Sequence, residues 1–419
     1  MEAIQAGDTA FLLMCTALVM FMTPGLALFY GGMVRSKNVL GTLMQSFVLI
    51  GIVSMVWAVV GYTLAFGPDV GGFVGSLEWI GLRGVGQAPN PDYAATVPHL
   101  AFMMFQGMFA VITPALITGA FAERMKFTAF LAFSVLWSVL VYSPVAHWVW
   151  GNGGWIRELG ALDFAGGTVV HISSAVAALA AVFVVGRRRG FGAEAMHPHN
   201  LPMTLLGAGI LWFGWFGFNA GSALTAGGLA ASALVATHLG AAGGAVSWAA
   251  AEWVHQGRPT TLGVASGLVA GLVAITPGSG FVGPMSAIAI GLGAGVLCYL
   301  AVLVKWRLRY DDSLDVVGIH GVGGMFGAVA TGLLAQVAIN GAGADGALFG
   351  NPGLLWRQVV AVVAVMAYSF GVSYALLRVL KAFTSLRVDE DEELLGLDLS
   401  QHSEAGYAFA NGGGMRVHD

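Results

Sequence analysis

The sequence predicts an all-α polytopic membrane protein: eleven transmembrane helices, arranged as two five-helix halves in an inverted repeat, then a final helix. Three observations carry this. Of 419 residues, 57% are hydrophobic and 10% are charged, where an ordinary soluble domain carries about 25% charged residues. Eleven stretches are apolar over most of the roughly 20 residues that a bilayer crossing needs. Lys and Arg gather on one side of those stretches. No soluble core hides so much apolar surface, and a net charge of −4 offers no basic field for nucleic acid. Glycine, at 62 residues, suits helices that approach closely in lipid.

The stretches fall at about 10–32, 40–66, 99–121, 128–146, 167–186, 202–222, 228–253, 261–276, 284–306, 316–338 and 357–382. The eighth is short, and the sixth and seventh are separated by only a few residues. After odd-numbered stretches stand Arg35, Lys37, Arg124, Lys126, Arg187, Arg188, Arg189, Arg258, Lys305, Arg307 and Arg309. Arg378, Lys381, Arg387 and Arg416 lie at and beyond the last stretch, and the opposite side has only Arg83, Arg157 and Arg357. Positive loops stay in the cytoplasm, so the N-terminus is expected outside and the C-terminus inside. Residues 1–384 form the membrane domain and 385–419 a cytoplasmic tail. The residues ahead of the first stretch carry Glu2 and Asp8 but no Lys or Arg, unlike a basic secretory leader. Cys15 and Cys298 sit in apolar runs and read as small buried hydrophobes. In the tail, the acidic run Asp389–Glu393 reads as a solvated segment, and the aromatics of Gly406-Tyr-Ala-Phe409 suit docking.

One echo links the halves. Asp163 and His171 open the fifth stretch, and Asp315 and His320 open the tenth, with spacings of eight and five residues. The two stretches enter from opposite faces. In inverted repeats the site lies near the midplane between the halves. An ionisable side chain inside a span is a functional candidate by default, and eight residues of helix set His171 about 12 Å deep. Two neutral imidazoles can share a proton and still present edges to a small polar solute. Asp163 and Asp315 stand where a carboxylate caps free N–H groups or stabilises a nearby cation.

Aromatic residues supply the other candidates. Phe105 and Phe109 share a helix face, Trp150 ends the run His147-Trp-Val-Trp150, and Trp215 and Phe218 sit three apart. Aromatic faces attract cations by about 0.5–2 kcal/mol each, although Trp148 and Trp212 fit an interfacial belt better. His197, His199 and His238 have no partners at metal-ligand spacing. No Gly run is followed by the Lys of a phosphate-binding loop, and no nucleophile stands with a base, so neither enzyme activity nor a cofactor is expected.

Pro24-Gly-Leu-Ala-Leu-Phe-Tyr-Gly-Gly32, Gly119-Ala-Phe-Ala-Glu-Arg124, Asp163-Phe-Ala-Gly-Gly-Thr-Val-Val-His171 and Gly214-Trp-Phe-Gly-Phe-Asn-Ala-Gly-Ser222 resemble the ammonium transporter family (Amt/Mep/Rh). The resemblance runs nearly end to end. It implies a homotrimer with a pore in each subunit. It makes His171 and His320 the twin pore histidines, and Phe105, Phe109, Trp150 and Ser222 an outer ammonium cage. It makes Phe109 and Phe218 a phenyl gate, Asp163 the carboxylate near the cage, and Trp215 and Thr276 pore-side positions. Trp150 and Ser222 favour the Amt branch over Rh-like gas channels. The tail resembles the Amt regulatory tail, except that Ser403 stands where Gly is expected and Gly406 where Ala is expected. A cytosolic P-II signalling protein is the partner such pores imply.

Together these residues lead to an expectation of ammonium transport across the plasma (inner) membrane. The alternatives are an Rh-like neutral ammonia channel, a sensor signalling through its tail, and an unrelated inverted-repeat transporter with broken helices around its site.

Overall fold

The structure, a computed structural model, describes residues 4–407. Ala408, Phe409 and Arg416 therefore lie outside the described residues. Ten helices among the described residues are long and apolar enough to cross a membrane. In chain order these are α1 (Ala6–Met33), α2 (Ser36–Phe66), α3 (His99–Phe121), α4 (Phe127–Leu159), α5 (Gly167–Val185), α6 (Leu201–Gly221) and α7 (Gly228–Gln256). After α8 come α9 (Pro284–Leu308), α10 (Val317–Leu334) and α11 (Pro352–Phe383). Helix α8 (Thr261–Ile275) is an eleventh apolar helix of 15 residues, about 22 Å long and so shorter than a hydrocarbon core. Its shortness is tolerated because every residue from Ala265 to Val282 is buried in protein, where irregular backbone is protected from lipid.

Small residues set the helix contacts. Gly207 of α6 lies so close to α1 that a Cβ there would sit 2.2 Å from the Phe29 nitrogen. A Cβ on Gly271 of α8 would sit 2.3 Å from the Gly240 carbonyl oxygen of α7. Any side chain at either position would push two backbones apart. This is the packing that lipid-embedded helices need, because burial of apolar surface drives little association there.

Four π-helical turns interrupt the ladder: Trp57–Gly61 in α2, Ser138–Tyr142 in α4, Gly167–Ile172 in α5 and Val317–Val322 in α10. Such turns often mark functional sites. The last two carry His171 and His320.

Between α2 and α3 the chain forms two small hairpins, β1 (Asp69–Val70) with β2 (Val74–Gly75) and β3 (Pro89–Asn90) with β4 (Ala94–Pro98). They mark the hairpin end of the bundle. At the opposite end the tail forms α12 (Glu390–Leu395) and α13 (Leu397–His402). Asp389 and Glu392 make a capping box at the start of α12, so the acidic run is helical rather than merely solvated. The tail packs on the body. Lys126 N donates to Leu386 O (2.9 Å), Val388 N to Arg124 O (3.0 Å), and Gly41 N to the Asp398 carboxylate (2.8 Å). The Tyr407 hydroxyl meets His199 Nε2 at 2.8 Å.

Candidate functional site

The residues singled out in the sequence gather along one axis between the two ends. At the hairpin end, a vestibule of about 240 Å³ is lined by Gln106, Phe109, Trp150, Asp163, Ser222 and Phe281, among others. Its floor is an aromatic pair: the Phe109 and Phe218 rings are 4.2 Å apart between centroids and 38° between planes, and both are buried. Trp150 stands edge-on to Phe109 at 5.8 Å. Phe105 is fully buried, edge-on behind Phe109 at 5.1 Å, and supports that ring rather than lining the vestibule.

The polar groups of the vestibule are already oriented. The Ser222 hydroxyl donates to the Phe218 carbonyl (2.9 Å), so the oxygen has only lone pairs left for a guest. Trp150 Nε1 donates to the Asp163 carbonyl (2.9 Å), which commits the indole's only donor and leaves its face to the cavity. The Asp163 carboxylate accepts from the N–H groups of Gly166 (2.8 Å), Gly167 (2.7 Å) and Thr168 (2.7 Å) and from the Thr168 hydroxyl. It therefore caps α5 and brings a negative charge to the vestibule wall.

Beyond the phenyl pair lies a slot of about 10 Å³, room for about one water-sized guest, walled by apolar side chains with Trp215, His171 and His320. The two imidazoles stack at 5.3 Å with their Nδ1 atoms 3.2 Å apart. One nitrogen must donate and the other accept, so the pair holds one proton between them. His171 Nε2 is buried without a partner among the described residues. Trp215 stacks on His171 at 5.4 Å and donates Nε1 to Thr276 Oγ1 at 2.9 Å. Thr276 is fully buried and orients Trp215 from behind.

The tail end differs from expectation in one respect. The sequence pairs Asp163 with Asp315, at unequal spacings from their histidines. The structure gives the equivalent position to Asp312, whose Oδ2 accepts from Val317 N at the start of α10 (2.7 Å). Asp312 precedes His320 by eight residues, as Asp163 precedes His171. That equal spacing was the available signal, hidden by the three acidic residues between 311 and 315. Asp315 instead pairs with Lys305 and lines a tail-end vestibule of about 360 Å³ with Glu194 and His197. Burial pushes the Asp312 carboxyl up to about 6 against the pull of Lys305. Burial acts on Asp311 in the same sense, but its bonds to Arg188 and the charges of Arg124 and Arg188 prevail and lower it. His199 bonds to Val34 O and Tyr407. His238 stacks on Trp212 at 5.2 Å. Neither reaches the axis. Among the described residues no cluster of three or more His, Cys, Asp or Glu could hold a metal ion, and both cysteines are free and buried.

Comparison with known proteins bears on the family and the fold. The model of the Ammonium Transporter Family matches residues 10–407. An ammonium transporter of Bacillus subtilis is 55% identical over 404 residues, covering 96% of this chain and 99% of the relative. Ammonium transporter Amt1 of Archaeoglobus fulgidus is 48% identical, covering 96% and 99%. The crystal structure of Saccharomyces cerevisiae Mep2 superposes with a TM-score of 0.87 at 36% identity, over 93% of this chain and 89% of that one. A sensor Amt protein superposes with a TM-score of 0.87 at 31% identity, over 94% and 98%.

Proposed function

The chain belongs to the ammonium transporter family and is a multi-pass membrane protein that transports ammonium, and we propose that it does so by parting a captured ion into neutral ammonia, which passes through the slot, and a proton, which crosses to the same side, so that one charge moves with each ammonia. The observation that carries this reading is the sequence of environments along one axis: an aromatic vestibule with oriented acceptors, a phenyl barrier, then an apolar slot with one shared proton.

Capture rests on Trp150, Phe109 and Ser222, with Phe105 behind them. The aromatic faces contribute about 0.5–2 kcal/mol each. The Ser222 oxygen, its own proton committed, accepts an ammonium N–H; a charge-assisted bond of this kind is worth about 1.5–3 kcal/mol. Potassium has no proton to donate, so that bond discriminates against it. The Asp163 carboxylate favours positive charge in the vestibule without having to touch it. A bare ion entering the slot would lose its water with little in return, at a cost of several kcal/mol. Ammonia is neutral and fits a cavity of one water. The histidine pair gives it a donor and an acceptor at the narrowest polar point, and Trp215, held by Thr276, keeps the pair stacked.

In the membrane the hairpin end faces outside and the tail end the cytoplasm, as the Lys and Arg distribution supports. Three subunits assemble, each with its own pore, in contact with lipid through their outer faces. Residues 385–419 act as a regulatory tail, and a cytosolic P-II protein is the expected partner at that end. A second reading, sensing of ammonium through the tail, draws support from the likeness to a sensor Amt protein and from the tail's hydrogen bonds to the body.

The test is charge movement on a supported membrane carrying the reconstituted protein. Pulses of ammonium should give a current where sodium and potassium give none, and His171→Leu should abolish the current or its selectivity. Ammonia-driven alkalinisation of vesicles without current would favour the neutral channel, and ammonium binding with neither response would favour the sensor. Unchanged ammonium selectivity in His171→Leu would remove the histidine pair from the pathway.

A further inference from the structure

We propose that His147 is a positioning residue for ammonium capture: by bridging the Ala65 carbonyl and the Asp69 carboxylate it fixes the helical turn that presents Trp150 to the vestibule. This rests on the reading of Trp150 as a wall of the cage.

His147 lies three residues before Trp150, one turn back on α4. Its side chain is fully buried, with Nδ1 3.0 Å from Ala65 O and Nε2 2.9 Å from Asp69 Oδ1; both partners are acceptors, so the bridge is complete when both ring nitrogens carry a proton. Each contact closes a gap that the backbone leaves open. The last carbonyls of a helix have no intrahelical partner. At the end of α2, Thr63 O is taken by Gly67 N, Phe66 O by the Tyr93 hydroxyl, and Ala65 O by His147. Asp69 opens the first hairpin, and its Oδ1 also accepts from Gly72 N. Beside it, Trp148 Nε1 donates to Phe73 O (2.8 Å). Two adjacent side chains of α4 thus hold one hairpin at its first strand and at its turn.

The chain after Trp150 wraps around the same imidazole. A Cβ on Gly151 would lie 2.5 Å from His147 Nδ1, and one on Gly154 would lie 1.9 Å from His147 O. The turn that breaks α4 after Trp150 is therefore packed against both the ring and the backbone carbonyl of His147. Among the described residues the indole makes one hydrogen bond, from Nε1 to Asp163 O, with the Phe109 ring edge-on against it, and the Trp150 carbonyl accepts from exposed Arg157. A ring bonded at one atom can still pivot about that bond. Fixing the helix end removes the pivot and keeps the ring face toward the guest. His147 does not line the vestibule or the slot, so it touches neither the ion nor the histidines. It acts on capture and leaves passage alone.

The experiment measures charge movement against ammonium concentration for wild type, His147→Ala, Asp69→Ala, the double variant and Trp150→Leu. His147→Ala and Asp69→Ala should each raise half-saturating ammonium about tenfold with the maximal signal within about twofold, and the double variant should be no worse than the poorer single one, because both remove one bridge. Should His147→Ala not yield folded protein, Asp69→Ala, on a partly exposed hairpin side chain, carries the test alone. Wild-type half-saturation in both single variants, with Trp150→Leu impaired, would overturn the inference and spare the cage. A loss confined to the maximal signal would overturn it too, by assigning His147 a role in the fold alone. Unchanged half-saturation in Trp150→Leu would remove the cage reading and this inference together.

Discussion

Asp312 is a buried carboxylate held close to neutral pH, and replacing it with Asn isolates what its charge costs. Its Oδ2 accepts one strong bond from Val317 N, while Oδ1 is buried without a partner among the described residues. Lys305 spends its ammonium on the Asp312 backbone carbonyl and on Asp315. The carboxyl titrates at about 6 in place of 3.8, and each pKa unit corresponds to about 1.4 kcal/mol. The folded state thus binds this proton more tightly than the unfolded chain. Its contribution is most favourable below the unfolded pKa, falls as pH rises from about 4 to about 6, and is constant above. The ionised group then costs about 3 kcal/mol at pH 8 and roughly half that at pH 5. An Asn amide oxygen can keep the Val317 bond without charge. Asp312→Asn should therefore gain thermal stability relative to wild type at pH 8, and the gain should shrink by roughly half at pH 5. Thermal unfolding of the purified protein in detergent at both pH values measures the gap. A gap identical at pH 5 and pH 8 would refute the reasoning, since any effect of shape or bonding alone is independent of pH.

Three further substitutions test other parts of the structure. Ser222→Ala removes the only hydroxyl acceptor proposed for the ion and should raise half-saturating ammonium about tenfold or more, measured by charge movement; equal sensitivity of potassium binding would count against the discrimination argued for that oxygen. In the tail, Ser403 ends α13 at φ +55°, a conformation that suits glycine. Ser403→Gly should strengthen tail docking by about 1 kcal/mol, read as slower amide exchange at Gly41 and Leu397, whereas Gly406→Ala should weaken it, because a Cβ would sit 2.5 Å from Val39 Cγ1.

Helix placement was legible because a bilayer imposes one period of about 20 apolar residues, and α3 matches its expected bounds while most others differ by a few residues. Helix α8 also keeps its expected bounds to within one residue, short as the apolar run itself is. The cage, the phenyl pair and the histidine pair were named from the sequence in that order through the family resemblance, whereas Gln106 and Phe281 of the vestibule were not named. Phe105 and Phe109 look equivalent four residues apart, and only packing makes one a wall and the other its backing. Thr276 looks like a pore residue and proves to be the partner of Trp215. Asp312 was hidden among neighbouring carboxylates, because sequence spacing alone does not say which of three acids meets a free N–H. His147 carried no signal beyond an aromatic run; its partners lie 78 and 82 residues away in the chain.

Asp163 makes two attachments through different parts of one residue: its carbonyl holds the Trp150 indole, and its carboxylate holds the first turn of the helix that bears His171. Entrance and conduit are thus joined through one residue, alongside the ring contacts that run from Trp150 through Phe109 and Phe218 to His171. Any tilt of the indole as a guest arrives pulls on the peptide unit whose side chain anchors the π turn, and no third residue is needed to relay it. A charge-neutral exchange at this position would loosen the side chain's hold on the π turn and leave in place the backbone carbonyl that holds the indole.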